Sequence, residues 1–328
     1  MNKFIVIATY GPSFSEQLAN LAEADYPELE FFFRLNGAHV LPDNVEECVT
    51  QIRDHFESPR ILMDLPGSKL RTKHIEESIG FQKDVPFELP FALTNYPDAL
   101  KSIKVGDVIS THDSKYRMKV QKISKDSITI VPNLSGYLQN GKGLHIQGAA
   151  LGLPFISDVD HALIAEAIRL KLWGLDLSYV RSTGNLDEVQ KIIGENPVQL
   201  LPKIETFEAM ENLQAILSRT PFALVDRGDL AGEIGIENIP TAQSTIIQMA
   251  HWCQARIIFA TQFFTSMVES PVPLIAELND CHNCIQQGIA GIQLSEETAI
   301  GKHVSNILDH LAVLVRNAYL RNKSDVRG

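Results

Sequence analysis

Residues 198–229, VQLLPKIETFEAMENLQAILSRTPFALVDRGD, contain one complete unit of the fold. An apolar run, Val198–Glu205, closes on Pro202-Lys203-Ile204-Glu205. A stretch of helical period, Phe207–Ser218, follows, and a second apolar run, Phe222–Asp229, closes on Asp226-Arg227-Gly228-Asp229. Continuous apolar runs suit strands covered on both faces, and a helix between two of them makes a βαβ unit. The pattern repeats in both directions. Phe4–Thr9, Leu29–Asn36, Arg60–Leu65, Leu175–Arg181, Arg256–Gln262 and Ile289–Ser295 are further runs with polar C-terminal edges, and Asp43–Phe56, Asp158–Leu172 and Thr241–Cys253 carry helical period. Eight such strands predict an α/β fold of the TIM (β/α)8 type, whose chemistry sits at the C-terminal strand ends.

One interval breaks the rhythm. About a hundred residues separate the third and fourth strands, where a βα unit needs only ~30. Lys104–Asp107, Tyr116–Ile123 and Ser127–Val131 read as short alternating strands, and Gly136, Gly141, Gly143 and Gly148 punctuate the return. The expectation is a small β lid domain, residues 73–145, inserted after the third strand of a barrel built from residues 1–72 and 146–328. His303–Arg321 is the expected closing helix.

The 328 residues are 45% hydrophobic and 21% charged, with a formal net charge of −11. An acidic surface repels phosphate backbones and anionic lipid, so neither nucleic acid nor membrane is an expected partner. Four cysteines make no disulfide framework, and the Cys281/Cys284 pair lacks the second pair of a zinc site. Met1-Asn2-Lys3 before Phe4–Ala8 imitates a leader, but the apolar stretch is too short, and no run approaches a membrane span. A cytoplasmic protein is expected.

Residues two apart on a strand share a face, so Lys203 and Glu205 face one side at the barrel mouth. Asp229 follows at the next strand end beside Gly228, which lets a ligand approach the backbone. Two carboxylates on neighbouring strand ends form an open oxygen site of the kind Mg²⁺ prefers, and Lys203 beside it suits a developing anion. A structural ion pair is the alternative for such residues taken singly.

Together these residues resemble pyruvate kinase. Lys203-Ile204-Glu205, Arg227-Gly228-Asp229-Leu230, Ala260-Thr261-Gln262 with Ser266-Met267, Ala276-Glu277 with Asp280 and Asn283, and Leu294-Ser295-Glu296-Glu297-Thr298-Ala299 before Gly301 occur in the family's order and spacing. Arg34-Leu35-Asn36 with His39, Asp64 with Gly67, Leu70 and Arg71-Thr72, Lys142-Gly143 with Gly148, and Ser178-Tyr179-Val180-Arg181 extend the resemblance over almost the whole chain.

The resemblance implies phosphoryl transfer from phosphoenolpyruvate to ADP, giving pyruvate and ATP through an enolate, with Mg²⁺ (or Mn²⁺) held by Glu205 and Asp229. It makes Lys203, Thr261, Arg34 and Ser295 catalytic, with Ser295 on the proton path. It assigns substrate binding to Arg227, Gly228, Asp229 and Thr261, the turn at Gly228 offering N–H groups to the substrate carboxylate. Nucleotide binding falls to Asn36, His39, Arg71 and Lys142.

The departures from the family are local. Ala38 and Leu65 stand where hydroxyl residues help hold a monovalent cation, leaving Asn36 and Asp64 as ligands of a weak site, so no K⁺ requirement is expected. Asp226 replaces a small residue, Glu296 a Gly, Ser68 a Pro, and Leu274-Ile275 a Thr-Arg pair; the fourth strand is shorter before Ser178. The family's C-terminal effector domain is missing from this sequence, so effector regulation through it is not expected. That leaves room for a barrel-to-barrel homodimer to which Leu274 and Ile275 could contribute. Two other readings are a specialised enzyme using phosphoenolpyruvate or an enolate with another acceptor, and a non-catalytic metabolite-binding barrel. Joint retention of Lys203, Glu205, Asp229, Thr261 and Arg34 argues against the last.

Overall fold

The computed structural model describes residues 3–18, 21, 25–112 and 114–325; Met1 and Asn2, at the leader-like start, lie outside them. The first three apolar runs form β1 (Phe4–Thr9), β2 (Leu29–Asn36) and β3 (Arg60–Leu65). The chain then leaves for β4 (Ile79–Phe81), β5 (Phe87–Pro90), β6 (Val108–Thr111), β7 (Tyr116–Ile123), β8 (Ser127–Pro132), β9 (Gly136–Leu138) and β10 (Leu144–Ile146). It returns for β11 (Gly174–Leu177), β12 (Gln199–Pro202), β13 (Phe222–Asp226), β14 (Arg256–Ala260) and β15 (Gly291–Leu294). Helices α1 (Val45–His55), α2 (Asp158–Arg169), α3 (Thr183–Ile193), α4 (Phe207–Glu211), α5 (Leu213–Leu217), α6 (Arg227–Ile234), α7 (Ile239–Cys253), α8 (Ile275–Gln286), α9 (Glu296–Ala299) and α10 (Val304–Asp325) complete the order.

The barrel strands form one eight-stranded sheet, β12-β11-β3-β2-β1-β15-β14-β13. Its two ends meet where Ile204 N–H donates to Leu224 O at 2.7 Å, beside a parallel bridge between Lys203 and Leu224. This is the TIM barrel the apolar runs predict. Outward-facing residues such as Val6, Phe33, Met63 and Phe259 pack under the helices. Inward-facing Ile5, Ile7, Phe32, Leu62, Leu201, Leu224 and Ile258 plug the interior, each worth about 1.5–3 kcal/mol of burial. The strands between β3 and β11 make a five-stranded antiparallel sheet, β10-β6-β7-β8-β5, and a two-stranded one, β4-β9. Alternating Met118 and Val120 face Ile109, Ile128 and Ile130 in a core of their own.

The observed elements differ from the sequence reading mainly at their ends. The run Leu175–Arg181 is strand only to Leu177, because Tyr179 takes a positive φ of 57°. Strand β12 stops at Pro202, which has no N–H for the ladder. Strand β14 stops at Ala260, before Thr261 and Gln262 with φ of 67° and 60°. Phe207–Ser218 divides at Asn212, whose side-chain amide donates to Arg181 O and Glu208 O. Lys104–Asp107 is a turn closed by Lys104 N–H on Asp107 Oδ2 at 2.8 Å, and the strand begins at Val108. Cys281 and Cys284 are free and buried on α8, as expected of reduced cysteines. Among the described residues no helix is long and apolar enough to cross a membrane.

Candidate active site

At the C-terminal ends of the strands the inward side chains turn from apolar to charged. Arg34 on β2 and Asp64 on β3 are both buried, and Arg34 Nε and Nη2 donate to Asp64 Oδ2, the former at 3.0 Å. Lys203 Nζ lies 2.9 Å from Asp64 Oδ1, and Arg34 Nη1 donates to Thr9 Oγ1 at 3.0 Å. Burial works against the charge on Lys203, but Asp64 and Glu205 outweigh it and hold the pKa above the ordinary lysine value. Burial likewise opposes ionisation of Asp64, yet Arg34 and Lys203 keep its pKa below the usual range. Asp176, beside Asp64 on the next strand, has no hydrogen-bond partner at either oxygen. Burial and the neighbouring Asp64 raise its pKa to about 7.

The second group is anionic. One carboxylate oxygen each from Glu205, Asp226 and Asp229 lies within 4.8 Å of the others. Glu205 is fully buried; Oε1 accepts Tyr179 N–H at 2.7 Å, while Oε2 has no hydrogen-bond partner, Lys203 Nζ being 3.9 Å away. Burial raises the Glu205 pKa to about 8, Lys203 opposing and Asp229 and Asp226 adding to the rise. A fully buried oxygen without a partner, facing two further carboxylates, fits a hard divalent cation that takes oxygen ligands. Mn²⁺ suits the same donor set.

Asp229 is not on a strand end, as its sequence position suggested, but in the first turn of α6. Three residues passed over as site residues in the sequence reading converge on it. Lys69 Nζ pairs with Oδ1, His145 Nε2 lies 3.3 Å from the same oxygen, and the Tyr179 hydroxyl donates to Oδ2 at 3.0 Å. Burial opposes its charge, but Lys69 and His145 hold the pKa well below the usual range. Lys69 stands inside the third-strand motif between Gly67 and Arg71, so its position was legible. His145 was not, because it arrives from the inserted segment. Two glycines make room: a Cβ on Gly143 would meet the Lys69 side chain, and one on Gly232 the His145 ring.

Thr261, β-branched yet at φ 67°, is held by its neighbours, since such a conformation costs energy unless the surroundings fix it. Arg227 does this. Its Nε donates to Thr261 O at 3.2 Å and Nη2 to the same oxygen, Nη1 pairs with Asp280, and the guanidinium lies 3.9 Å over the Phe263 ring. Arg227 is buried. Its guanidinium, expected from the sequence at the substrate, reaches Thr261 O and Asp280. Gly228 N–H donates to Thr261 Oγ1 at 3.2 Å and to Asp226 Oδ1 at 3.1 Å, and Asp229 N–H donates to the same Asp226 oxygen at 3.3 Å.

The four candidate nucleotide residues fall in two places. Asn36 and His39 line a cavity of about 800 Å³ with Arg34, Ser295, Tyr10 and Glu296. Arg71 and Lys142 sit at the root of the inserted sheets: Arg71 Nη1 donates to Gly141 O at 3.1 Å, and Lys142 N–H to Thr72 Oγ1 at 2.8 Å. Asn36 Oδ1 accepts Ala38 N–H at 3.1 Å, and Asp64, its expected companion in a monovalent-cation site, is engaged by Arg34 and Lys203. Ser295 N–H donates to Glu297 Oε2 at 2.7 Å. Leu274 and Ile275 are exposed at the start of α8.

A family model described as the pyruvate kinase barrel domain matches residues 1–307. The chain is 30% identical over 304 residues to a pyruvate kinase of Thermotoga maritima, covering 87% of this chain and 65% of that protein. Against a pyruvate kinase of Methanocaldococcus jannaschii it is 29% identical over 317 residues, 92% of this chain and 66% of the relative. Against one of Bacillus licheniformis it is 30% identical over 325 residues, 92% and 55% respectively. The chain thus spans less than two thirds of the length of these relatives.

Proposed function

The chain belongs to the pyruvate kinase family, and on that premise we propose that its barrel is a divalent-metal-dependent phosphotransferase moving the phosphoryl group of phosphoenolpyruvate to ADP. The observation that carries this reading is the partnerless buried oxygen of Glu205 facing Asp226 and Asp229, with Lys203 beside them. Glu205 and Asp229 would hold Mg²⁺, which when bound supplies charge neutralisation for the phosphoryl oxygens and the enolate. Lys203, kept charged by Asp64 and Glu205, offers an ammonium to the negative charge that grows on the bridging oxygen as the P–O bond breaks. Arg34, paired like Lys203 with Asp64, adds a second fixed positive group. Thr261, locked by Arg227, orients the substrate carbon that receives a proton when the enolate becomes pyruvate. Ser295, on the wall of the adjoining cavity, belongs to the path of that proton. The same cavity, with Asn36 and His39 on it, is large enough for a nucleotide.

Pyruvate release measured with phosphoenolpyruvate, Mg²⁺ and a panel of nucleoside diphosphates tests the reading. Stoichiometric pyruvate and nucleoside triphosphate are expected; no pyruvate with any diphosphate overturns it. One observation favours a second reading, an enzyme that keeps the phosphoenolpyruvate half but uses another acceptor. Glu296 is exposed on the wall of the cavity where a diphosphate would lie.

A further inference from the structure

A carboxylate at the start of a helix is usually a cap, and Asp226 is the cap of α6. Its location gives it a second consequence. The amides it covers are Gly228 N–H at 3.1 Å and Asp229 N–H at 3.3 Å, and its carboxylate lies with that of Glu205, whose Oε2 has no hydrogen-bond partner. Paired N–H groups at a helix N-terminus are a ready seat for an anionic group. Here that seat is taken by a side chain of the chain itself. Thr261 Oγ1 already shares the Gly228 N–H at 3.2 Å, so neither of these two amides is open to an incoming carboxylate. Asp226 also stands in the carboxylate cluster with Glu205 and Asp229. A negatively charged ligand therefore meets both a lost hydrogen-bond seat and an added like charge.

We propose that Asp226 is the specificity-determining residue of this centre: its carboxylate occupies the amides that would bind the carboxylate of a 2-oxo acid or its enol phosphate, so such a ligand binds only by displacing it. The proposal rests on the phosphotransfer reading for the kind of ligand that enters. It makes the wild-type protein a weak binder of small carboxylates at a site otherwise suited to them.

The test is oxalate binding by calorimetry, with and without Mg²⁺, to the wild type and to Asp226→Ala, Asp226→Gly and Asp226→Asn. Glycine is itself tolerated as a helix cap, so D226G guards against a misfolded D226A. Oxalate should bind at least tenfold more tightly to D226A and D226G than to the wild type. D226N should gain less, because its amide oxygen still accepts the two N–H groups. Equal or weaker oxalate binding in the folded Ala and Gly variants overturns the proposal, as does binding by none of the proteins. A parallel Mn²⁺ titration separates the two readings. Failure of the wild type to bind Mn²⁺ would remove the phosphotransfer reading, while the oxalate comparison judges Asp226 alone.

Discussion

Along four barrel strands a single step of two residues separates oil from charge. Phe32 is followed by Arg34, Leu62 by Asp64, Leu201 by Lys203 and Leu224 by Asp226, all facing the barrel interior. The lower layer is fully buried and makes the apolar plug. The upper layer is nearly as buried for Arg34, Asp64 and Lys203 but carries charge. The lower layer stabilises by removing apolar area from water. The upper one costs desolvation that its ion pairs only partly offset. The same strand geometry thus builds a foundation and, 6–7 Å further along by strand rise, a reactive rim that could not stand without it.

The sharpest way to break the contrast is Lys203→Met. It removes the ammonium from the rim and leaves Asp64 with Arg34 and the Ser178 hydroxyl. Turnover should fall by about 10²–10³-fold with substrate binding changed far less, and unfolding in urea should show a loss of about 3 kcal/mol from the broken buried pair. Full activity would take Lys203 out of the mechanism. A stability loss with unchanged turnover would return it to a structural ion pair.

In the lower layer, Leu62→Ala should cost about 2–5 kcal/mol through the cavity it leaves. Mg²⁺ affinity of the folded variant should move by less than about threefold, well under 1 kcal/mol. A rim that loses its metal when the plug is hollowed would show the layers to be one unit.

The difference between the layers also explains what the sequence could disclose. The plug and the outer core are continuous apolar runs, so the number and order of strands were legible from Phe4 to Leu294. The strand ends were not, because they are set by backbone rather than hydropathy: Tyr179 and Thr261 at positive φ, Pro202 without an N–H. At the rim, Lys203, Glu205 and Asp229 were legible as charged residues ending apolar runs, and the family resemblance added Arg34 and Thr261. Three-dimensional convergence was not. Lys69 and His145 meet Asp229 across 160 and 84 residues of sequence, and the Arg227 guanidinium reaches Thr261 and Asp280 across 34 and 53.

Within the rim, Glu205→Gln should weaken Mg²⁺ binding by about 100-fold, near 2.7 kcal/mol, while leaving the fold intact, since the residue's Oε2 accepts no hydrogen bond from the protein. Unchanged Mg²⁺ affinity by calorimetry would reassign the site.

Proton linkage gives an effect with a definite sign. Burial raises Glu205 to about 8 and Asp176 to about 7, so the folded state holds protons that the unfolded chain releases above the ordinary carboxylate range. Their contribution to stability is complete below about pH 4 and is lost as pH rises towards 7–8. In chelator, unfolding free energy should therefore fall by about 3–4 kcal/mol between pH 6 and 8. Mg²⁺ should flatten the slope by favouring ionised Glu205, and Asp176→Asn should remove its own share. Stability that rises over this window would place the protons elsewhere.

The smallest expected effect is that of K⁺. A monovalent-cation site needs several free oxygens, and the two residues expected to supply them are already engaged. Ala38 and Leu65 bring no side-chain oxygen. Asp64 Oδ1 faces Lys203 at 2.9 Å, while Oδ2 accepts from Arg34; Asn36 Oδ1 already accepts Ala38 N–H. Two fixed cationic side chains therefore meet the carboxylate that would have drawn the ion, and Lys69 brings a third to Asp229 nearby. An added K⁺ would have to displace a guanidinium or an ammonium held in a buried pair, which costs more than a weakly coordinated ion returns. Phosphoenolpyruvate-dependent turnover should thus differ by less than about twofold, under 0.5 kcal/mol, between K⁺ and a bulky organic cation at matched ionic strength and saturating Mg²⁺. A large K⁺ stimulation would mean that Asp64 exchanges Lys203 or Arg34 for the ion during turnover, and that the upper layer is mobile where the lower one is fixed.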